Sequence, residues 1–388
     1  MNSGRGPDPL PPTGEWDRAP WNKWSFQHVG EILPTVDVSR GTGPVRALPG
    51  AEQDLEALPV SGIDGKPATL ATFLEQTHTD GILVLHRGAI AFERYFNGMT
   101  ETTLHLSQSV AKSFTGAMAG ILAGRGTIDV HAQIVDVLPE LRSTAYRDAT
   151  IQHVLDMASG VRFTEDYDDP HSDMGRADVA SGWKPVPAGA NRVDWPPTMF
   201  DLILTLQTRE HAHGGRFAYR SIETDVLAFV LERATGRRLA KLLSEELWQP
   251  LGMERNASMT VDAAGYALAD GGLNACLRDY GRFGKMLLEG GAGIVPRSWI
   301  EATRSGDHTL FGKPYTAVLP DGAYRNQFWI EDSASRNLMA RGVFGQLIHI
   351  DFARQMVVVK LSSWPEFVNP AWTRATLDAV RRIGVALS

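Results

Sequence analysis

The sequence predicts an α+β fold in which one antiparallel sheet is built from both ends of the chain. An early hairpin is indicated by the alternating apolar residues of GILVLHRGAIAFERYF, residues 81–96. The last third returns to strand-like segments in QFWIED, LMARGVFGQLIHI and QMVVVKLSSW. Between residues 127 and 250 the pattern is mainly helical. Strands at both ends with helices between them indicate a sheet that carries an inserted helical lobe.

The N-terminal region is expected to form an arm. Residues 1 to about 15 are rich in Gly and Pro, which predicts disorder. The next stretch, WDRAPWNKWSFQHVGEILP, carries three tryptophans. Because single tryptophans usually serve cores, we expect this stretch to pack on the body of the protein rather than to form a separate binding module.

The later elements each have a local signal. A short helix is predicted at 67–77, the hairpin turns at Arg87-Gly88, and the next helix ends at the glycines at 124 and 126. TIQHVLDMASG and ETDVLAFVLERATGRRLAKLLSEELW are amphipathic helical runs on either side of a long loop at 165–197. GGLNACLRDYGRFGKMLLEGG gives another helix, and residues 372–385 give the closing one.

Three regions follow from this pattern. Residues 1–54 form the arm, which is partly disordered. Residues 55–105 and 255–388 together form the sheet domain. Residues 106–254 form the mainly helical lobe, which carries the long loop, and long loops in compact domains are often functional.

Composition excludes several classes of protein. The net charge of −7 and the absence of a Lys/Arg-rich run argue against nucleic acid as a partner. The N-terminus lacks the apolar core of a signal peptide, and no uncharged run reaches membrane-spanning length. We therefore expect a soluble, cytoplasmic protein with no membrane partner. Cys276 is the only cysteine, which excludes an internal disulfide and a thiolate metal cluster. The oligomeric state is left open, with a homodimer as one alternative.

The segment HLSQSVAKSFTGAMAGILA contains the strongest candidate for chemistry. Ser109 and Lys112 are three residues apart, so they lie on one face of a helix within reach of each other. A solvated lysine after an N-capping serine would have the same spacing. However, the rest of the helix is nearly uncharged, which is typical of a buried helix. We therefore expect Lys112 to be desolvated, to have a lowered pKa, and to accept a proton from Ser109.

Two further stretches offer partners for this serine. Tyr219 and Ser221 in FAYRSIETD could direct two hydroxyls into one cleft, although a tyrosine that packs with its hydroxyl tied to the backbone is the structural alternative. The glycine-containing strand LMARGVFGQ could lend a main-chain N–H, although strand glycines more often mark bulges. The N–H groups of Ser109 and Arg341 would then form an oxyanion hole.

Other chemistries find less support. The sequence contains no H-E-x-x-H or comparable metal-ligand spacing and no G-x-S-x-G elbow. No G-x-G-x-x-G follows a predicted strand, so a dinucleotide is not indicated. We therefore expect no metal and no cofactor.

Ser109-x-x-Lys112, Tyr219-x-Ser221 and the late glycine-containing strand resemble the motifs of the penicillin-recognising serine hydrolases in order and spacing. IQHVLDMASGV and GGLNACLRDYGRFGKMLLEGG also resemble segments of that superfamily, so the resemblance covers most of the chain after residue 55. It implies a β-lactamase/penicillin-binding-protein-like fold, in which the serine is acylated and the lysine and tyrosine shuttle protons. The superfamily's K-T-G or H-T-G is absent, which argues against β-lactamase activity.

A closer resemblance is to the nylon-oligomer hydrolase family within this superfamily. It is carried by the Trp-rich arm and by EDYDDP, DVASGW, FGQ and VKLSSWP, so it runs almost end to end. The resemblance implies that Tyr167 holds the substrate amide and that Asp178 pairs with a substrate ammonium. Trp183 would line the pocket and Ser221 would lie beside the catalytic tyrosine. Phe344 stands where the family has a histidine, and we include it among the substrate-binding residues.

The expected function is that of a serine hydrolase acting through an acyl-enzyme. The resemblance implies linear amides of the 6-aminohexanoate-dimer type, short-chain carboxylic esters, or both as its small-molecule substrates. The alternative is a penicillin-binding-type sensor, or a D-amino-acid peptidase or β-lactamase-related protein with little turnover.

Overall fold

We describe residues 10–388 of the chain from a computed structural model. Most of the stretch predicted to be disordered, residues 1–9, lies outside the described residues. Just before the first buried tryptophan, the chain makes a turn in which the N–H of Glu15 donates to the carbonyl of Pro12 at 2.9 Å. The domain boundaries drawn from the sequence stay a prediction.

Among residues 10–388, the main sheet has seven antiparallel strands, in the order β5-β4-β13-β12-β11-β10-β9. Its strands come from both ends of the chain, which confirms the predicted α+β class. A second sheet has the order β1-β7-β8-β6, and β2 pairs with β3. The strands are β1 Thr35–Val38, β2 Pro59–Ser61, β3 Pro67–Thr69, β4 Thr79–His86, β5 Ala89–Tyr95, β6 His105–Leu106, β7 Ala257–Thr260, β8 Leu273–Ala275, β9 Ala323–Arg325, β10 Phe328–Ile330, β11 Leu338–Gly342, β12 Gln346–Asp351 and β13 Met356–Ser362.

The described helices cover both faces of the main sheet. Alternate residues of β4 belong to opposite cores, because side chains alternate along a strand. Leu83 lies in the core that includes Phe283 of α10 (Leu277–Leu288), whereas Val84 lies in the core that includes Val380 of α12 (Pro370–Ala386). The helices are α1 Asn22–Ser25, α2 Leu70–Gln76, α3 Ala111–Gly124, α4 Ile134–Val137, α5 Ile151–Leu155, α6 Asp173–Ala180, α7 Met199–Leu204, α8 Ile222–Thr235, α9 Leu239–Leu243, α10 Leu277–Leu288, α11 Arg297–Thr303 and α12 Pro370–Ala386.

Two predicted elements are each divided in the structure. LMARGVFGQLIHI, which we predicted as one strand, is the hairpin β11–β12, and it turns at Phe344 (φ +60°) and Gly345 (φ +89°). The long helical run after residue 222 breaks at Gly236 (φ +66°) into α8 and α9. In both places a residue with positive φ ends the regular element.

The arm packs on the body, as the tryptophans predicted. Its strand β1 pairs with β7, and Trp16 is fully buried. The indole N–H of Trp16 donates to the carbonyl of Trp183 at 2.8 Å. Within residues 10–388, none of the helices has the length and apolar character needed to cross a membrane.

Candidate active site

Ser109 lies at the junction between the two sheets and the helical region. It is in a single 3₁₀ turn, Gln108–Val110, that leads directly into α3. Gln108, just before it, has a positive φ of 48°, a strained conformation of the kind that clusters at functional sites. The serine side chain is partly exposed, whereas its neighbours on both sides are buried.

Lys112 is one turn further along and points back to the serine. Its Nζ donates to Ser109 Oγ at 3.0 Å and to the carbonyl of Asp270 at 2.6 Å. Only 1% of Lys112 is exposed, which confirms that the lysine is desolvated and excludes the alternative of a solvated residue.

The prediction of a lowered lysine pKa is wrong. Burial does lower the pKa of Lys112, but the nearby Tyr219, Asp270, Glu165 and Asp225 raise it by more, so the pKa lies above its ordinary value. The sequence showed the apolar helix but not the acidic groups that the fold brings to the amine. Lys112 is therefore an ammonium in the resting protein.

Tyr219 lies on the same cleft. Its ring stacks on Trp329 at 5.4 Å, and Lys112 Nζ is 5.3 Å from the ring centre. Burial raises the pKa of Tyr219, whereas the charge of the nearby Lys112 acts in the opposite direction. The structure thus brings the three predicted catalytic residues together.

The end of β11 lies beside the serine turn. The carbonyl of Asn337 accepts a hydrogen bond from the N–H of Glu331, so it points towards β10. Backbone groups of every second residue along a strand point to the same side, and the N–H of Arg341 therefore points to that side as well. The neighbouring strand β10 does not extend to the level of Arg341. The end of β11 also approaches the serine turn closely, because a Cβ on Gly342 would be 2.8 Å from the carbonyl oxygen of Ser107. The N–H of Arg341 is therefore directed away from β12 near the serine turn, and its pairing with the N–H of Ser109 as an oxyanion hole stays a prediction.

The guanidinium of Arg341 lies over Trp329, 5.0 Å from the ring centre. Burial lowers the pKa of Arg341 to about 10. Among residues 10–388, no carboxylate lies within ion-pair distance of it.

Two cavities meet at Ser109. The larger one has a volume of about 370 Å³ and is mostly apolar, with Tyr219, Trp329, Arg341 and Trp364 in its walls. The smaller one has a volume of about 30 Å³. Its walls include four of the predicted residues, namely Tyr167, Asp178, Trp183 and Ser221.

Phe344 departs from the prediction. Its side chain is fully buried and packs against Phe26 at 5.2 Å and Phe367 at 4.5 Å. Val343 and Gly345, its neighbours in the turn, line the large cavity instead. With its positive φ, Phe344 places its ring in the core rather than in either cavity. The predicted role of Phe344 in substrate binding is therefore corrected by the geometry of the turn.

Glu165 is a cleft residue that the sequence analysis missed. Its carboxylate accepts from the hydroxyl of Tyr167 at 2.8 Å, and from both the N–H (2.9 Å) and the hydroxyl (2.5 Å) of Ser221. Burial raises the pKa of Glu165 even though Lys112 and these donors favour the charged form. Its place in EDYDDP, two residues before Tyr167, was the only available signal.

Asp178 forms an ion pair with Lys184. Its carboxylate Oδ2 is 3.3 Å from Nζ of Lys184. Burial raises the pKa of Asp178 to about 7, although Lys184 acts to lower it. Trp183, between them in sequence, donates its indole N–H to Thr260 Oγ1 at 3.0 Å. Within residues 10–388, we find no group of three or more His, Cys, Asp or Glu side chains that could hold a metal ion.

Comparison with known proteins gives the family. The family model for beta-lactamases matches residues 68–381. The chain belongs to the beta-lactamase family. As a chain of the beta-lactamase family it is a hydrolase, and the predicted fold and family are both confirmed.

Relatives of this beta-lactamase-family chain include the 6-aminohexanoate-dimer hydrolase of Paenarthrobacter ureafaciens, 34% identical over 368 residues, which are 93% of this chain and 90% of that protein. A solved structure from Bacillus anthracis, assigned as a 6-aminohexanoate-dimer hydrolase, has a TM-score of 0.86 at 29% identity and covers 96% of both chains. A family VIII carboxylesterase shares the fold, with a TM-score of 0.58 at 14% identity over 80% of this chain and 95% of that one.

Proposed function

We propose that the chain is a serine hydrolase that cleaves linear amides and short-chain carboxylic esters through an acyl-enzyme on Ser109. The observation that carries this proposal is the 3.0 Å hydrogen bond between Lys112 Nζ and Ser109 Oγ, in a cleft that Tyr219 also lines. A nucleophilic serine needs a nearby group that exchanges protons, and this pair supplies one.

The first half-reaction forms the acyl-enzyme. Ser109 Oγ attacks the substrate carbonyl, and its proton passes to the Lys112–Tyr219 pair in the form that has lost one proton. The N–H groups of Ser109 and Arg341 stabilise the oxyanion, each by roughly 3 kcal/mol. The pair then returns the proton to the departing amine or alcohol as the carbonyl–heteroatom bond breaks.

The second half-reaction releases the acid. A water molecule gives one proton to the same pair and attacks the acyl carbonyl. When the bond to Ser109 Oγ breaks, the pair returns that proton to the serine, and the resting state is restored.

The cavities support an acyclic substrate. The large cavity offers about 370 Å³ of mostly apolar space to an alkyl chain on one side of the carbonyl. On the other side, Tyr167, Trp183 and Ser221 surround a much smaller space. The similarity to a 6-aminohexanoate-dimer hydrolase supports an amide of an ω-amino acid, and a short-chain ester places the same carbonyl beside Ser109.

Intact-mass spectrometry with p-nitrophenyl esters and linear ω-amino acid dimers tests the proposal. We expect a transient adduct on Ser109 in the wild type, and neither adduct nor turnover in Ser109→Ala. Ser113→Ala is the matched control, because that hydroxyl is on the same helix and donates to the carbonyl of Gln327 at 2.7 Å. Ser109→Ala activity within tenfold of the wild type would contradict the proposal, and a stable adduct without product would favour a sensor.

A further inference from the structure

Arg341 is an unpaired cation in the wall of the large cavity. Its guanidinium lies over the indole of Trp329, 5.0 Å from the ring centre, and both residues line that cavity. Among the residues that the structure describes, none accepts a hydrogen bond from this guanidinium and none offers it a carboxylate within ion-pair distance. Its nitrogen atoms are not shut away from the surface either. The N–H groups of Arg341 are therefore available to an anion in the cavity.

The charges around this cation favour an anionic ligand. Burial lowers the pKa of Arg341 to about 10, which leaves the guanidinium protonated at neutral pH. Within residues 10–388, Glu165 is the other charged residue that lines the large cavity, and its carboxylate already accepts from Tyr167 and Ser221. An unpaired charge beside mostly apolar walls is costly, so it indicates a partner of opposite charge that arrives with the substrate.

The large cavity lies on the side of the departing amine. Tyr219 lines this cavity, whereas it is not among the described residues that surround the small one. In the proposed mechanism the Lys112–Tyr219 pair returns a proton to the leaving nitrogen, which must therefore lie within hydrogen-bond reach of the pair. The leaving group consequently extends into the large cavity, where Arg341 lies.

The length of an ω-amino acid suits this arrangement. The ring of Tyr219 and the guanidinium of Arg341 lie against the same indole, 5.4 and 5.0 Å from the ring centre of Trp329. A single indole therefore spaces the proton donor from the cation. In 6-aminohexanoate six bonds separate the nitrogen from the carboxyl carbon, a span of about 7 Å when the chain is extended. Its carboxylate thus has the reach to meet the guanidinium while its nitrogen lies beside Tyr219.

We propose that Arg341 binds a carboxylate at the far end of the leaving group, and that it thereby favours amides whose amine half is an ω-amino acid. This inference rests on the proposed function, because acylation of Ser109 defines which half of the substrate leaves. A guanidinium can donate two parallel hydrogen bonds to a carboxylate, and these are stronger in a site with little water. The cation–π contact with Trp329 holds the guanidinium in place for them.

Two matched amides test the role of Arg341. 6-(Hexanoylamino)hexanoate and 6-(hexanoylamino)hexanamide share the acyl group and the scissile bond, and they differ only in the terminal carboxylate. Release of hexanoate, followed by mass spectrometry, gives kcat/KM for each amide. The measured quantity is the ratio of the two values, because general damage to the site cancels in that ratio.

We expect the wild type to prefer the carboxylate by roughly 10- to 100-fold, the usual size of hydrogen bonds to a charged group. Arg341→Met keeps an unbranched side chain against Trp329 without the charge, so it should bring the ratio close to one. Arg341→Gln should do the same if the methionine variant folds poorly. Arg341→Lys keeps the charge without the planar pair of donors and should retain a smaller preference.

Arg304→Met is the matched control. That guanidinium also lies over an aromatic ring, 3.8 Å from the centre of Phe352, but Arg304 is not among the described residues that line the large cavity. The control should leave the ratio as it is in the wild type. A wild-type ratio near one would overturn the inference. So would a preference that persists in both Arg341→Met and Arg341→Gln, or one that Arg304→Met removes equally.

A binding experiment separates this inference from the proposed function. Calorimetry with Ser109→Ala gives the ratio of the dissociation constants of the two amides without turnover, and adding Arg341→Met should remove the preference there too. If it persists in the double variant, Arg341 is not the carboxylate site. The proposed function fails in a different way, through retained turnover in Ser109→Ala, and the ratio of kcat/KM values then still tests Arg341.

Discussion

At the scale of single residues, the proposed mechanism makes the reactivity of Ser109 depend on one proton of the Lys112–Tyr219 pair. Acidic neighbours raise the pKa of Lys112, and burial raises the pKa of Tyr219. Both groups are consequently protonated in the resting protein at neutral pH. The form that can accept the serine proton has lost one of these two protons, and it is the minor form below about pH 9.

This gives a prediction for the pH dependence of catalysis. We expect kcat/KM for a neutral ester to rise with pH, by close to tenfold per unit between about pH 6 and 9, because the basic form of the pair grows in that proportion. The rate constant rises with pH because Lys112 cannot accept a proton while it is protonated. Its raised pKa keeps it protonated at neutral pH. A pH–rate profile from stopped-flow or plate assays checks it, and a plateau that begins at pH 6 would contradict it.

The residues of the site differ in how far the sequence could predict them. Ser109 and Lys112 were found because their spacing is local and i to i+3 neighbours meet on any helix. Asp270 and Lys184 were not found, because they reach the site only through the tertiary fold. Asp178 was found by resemblance, but its ion pair with Lys184 depends on a turn that no local pattern shows.

At the scale of elements, the β11–β12 hairpin explains both a success and a failure of sequence analysis. The apolar residues predicted strands correctly, since β12 and the first three residues of β11 are buried. The turn at Phe344 was missed, because a bulky residue with positive φ is a poor turn signal. Contacts of its ring with Phe26 and Phe367 accompany that conformation, so tertiary packing overrides the local preference.

The approach of β11 to the serine turn depends on Gly342. A Cβ there would be 2.8 Å from the Ser107 carbonyl oxygen and 3.0 Å from Gln108 Cβ. We expect Gly342→Ala to push β11 away from Ser109 and to lower kcat for a neutral ester by about 10- to 100-fold, since it would separate the two proposed oxyanion donors. Steady-state kinetics checks this expectation.

Gly43→Ala is the matched control for the same substitution, because a Cβ at Gly43 meets no atom within 4 Å. It should leave kcat unchanged. The cost of overpacking at Gly342 in the free energy of unfolding is about 1–3 kcal/mol, so the variant should remain folded at 25 °C. A kcat for Gly342→Ala equal to that of the control would show that the strand can adjust without loss of the oxyanion hole.

At the scale of the whole molecule, the arm joins the two walls of the cleft. Trp16 donates to the carbonyl of Trp183, which lines the small cavity, and Asn22 donates to the carbonyl of Trp364, which lines the large one. The sequence predicted that the arm packs on the body. It could not predict these bonds, because each joins residues that are far apart along the chain.

The arm should therefore support both stability and catalysis. Trp16 is fully buried, so Trp16→Ala should lower the free energy of unfolding by about 3–5 kcal/mol and should loosen Trp183 and Lys184. Trp24→Ala is the control, since that ring is only partly buried and stacks on His28 at 4.4 Å, and it should cost less than about 1 kcal/mol. Urea denaturation measures stability, and kcat/KM at 15 °C, where we expect both variants to be folded, measures catalysis. If Trp16→Ala and Trp24→Ala lose the same small amount in both measurements, the arm is not what holds the two walls together, and the site must be organised by the sheets and α3 alone.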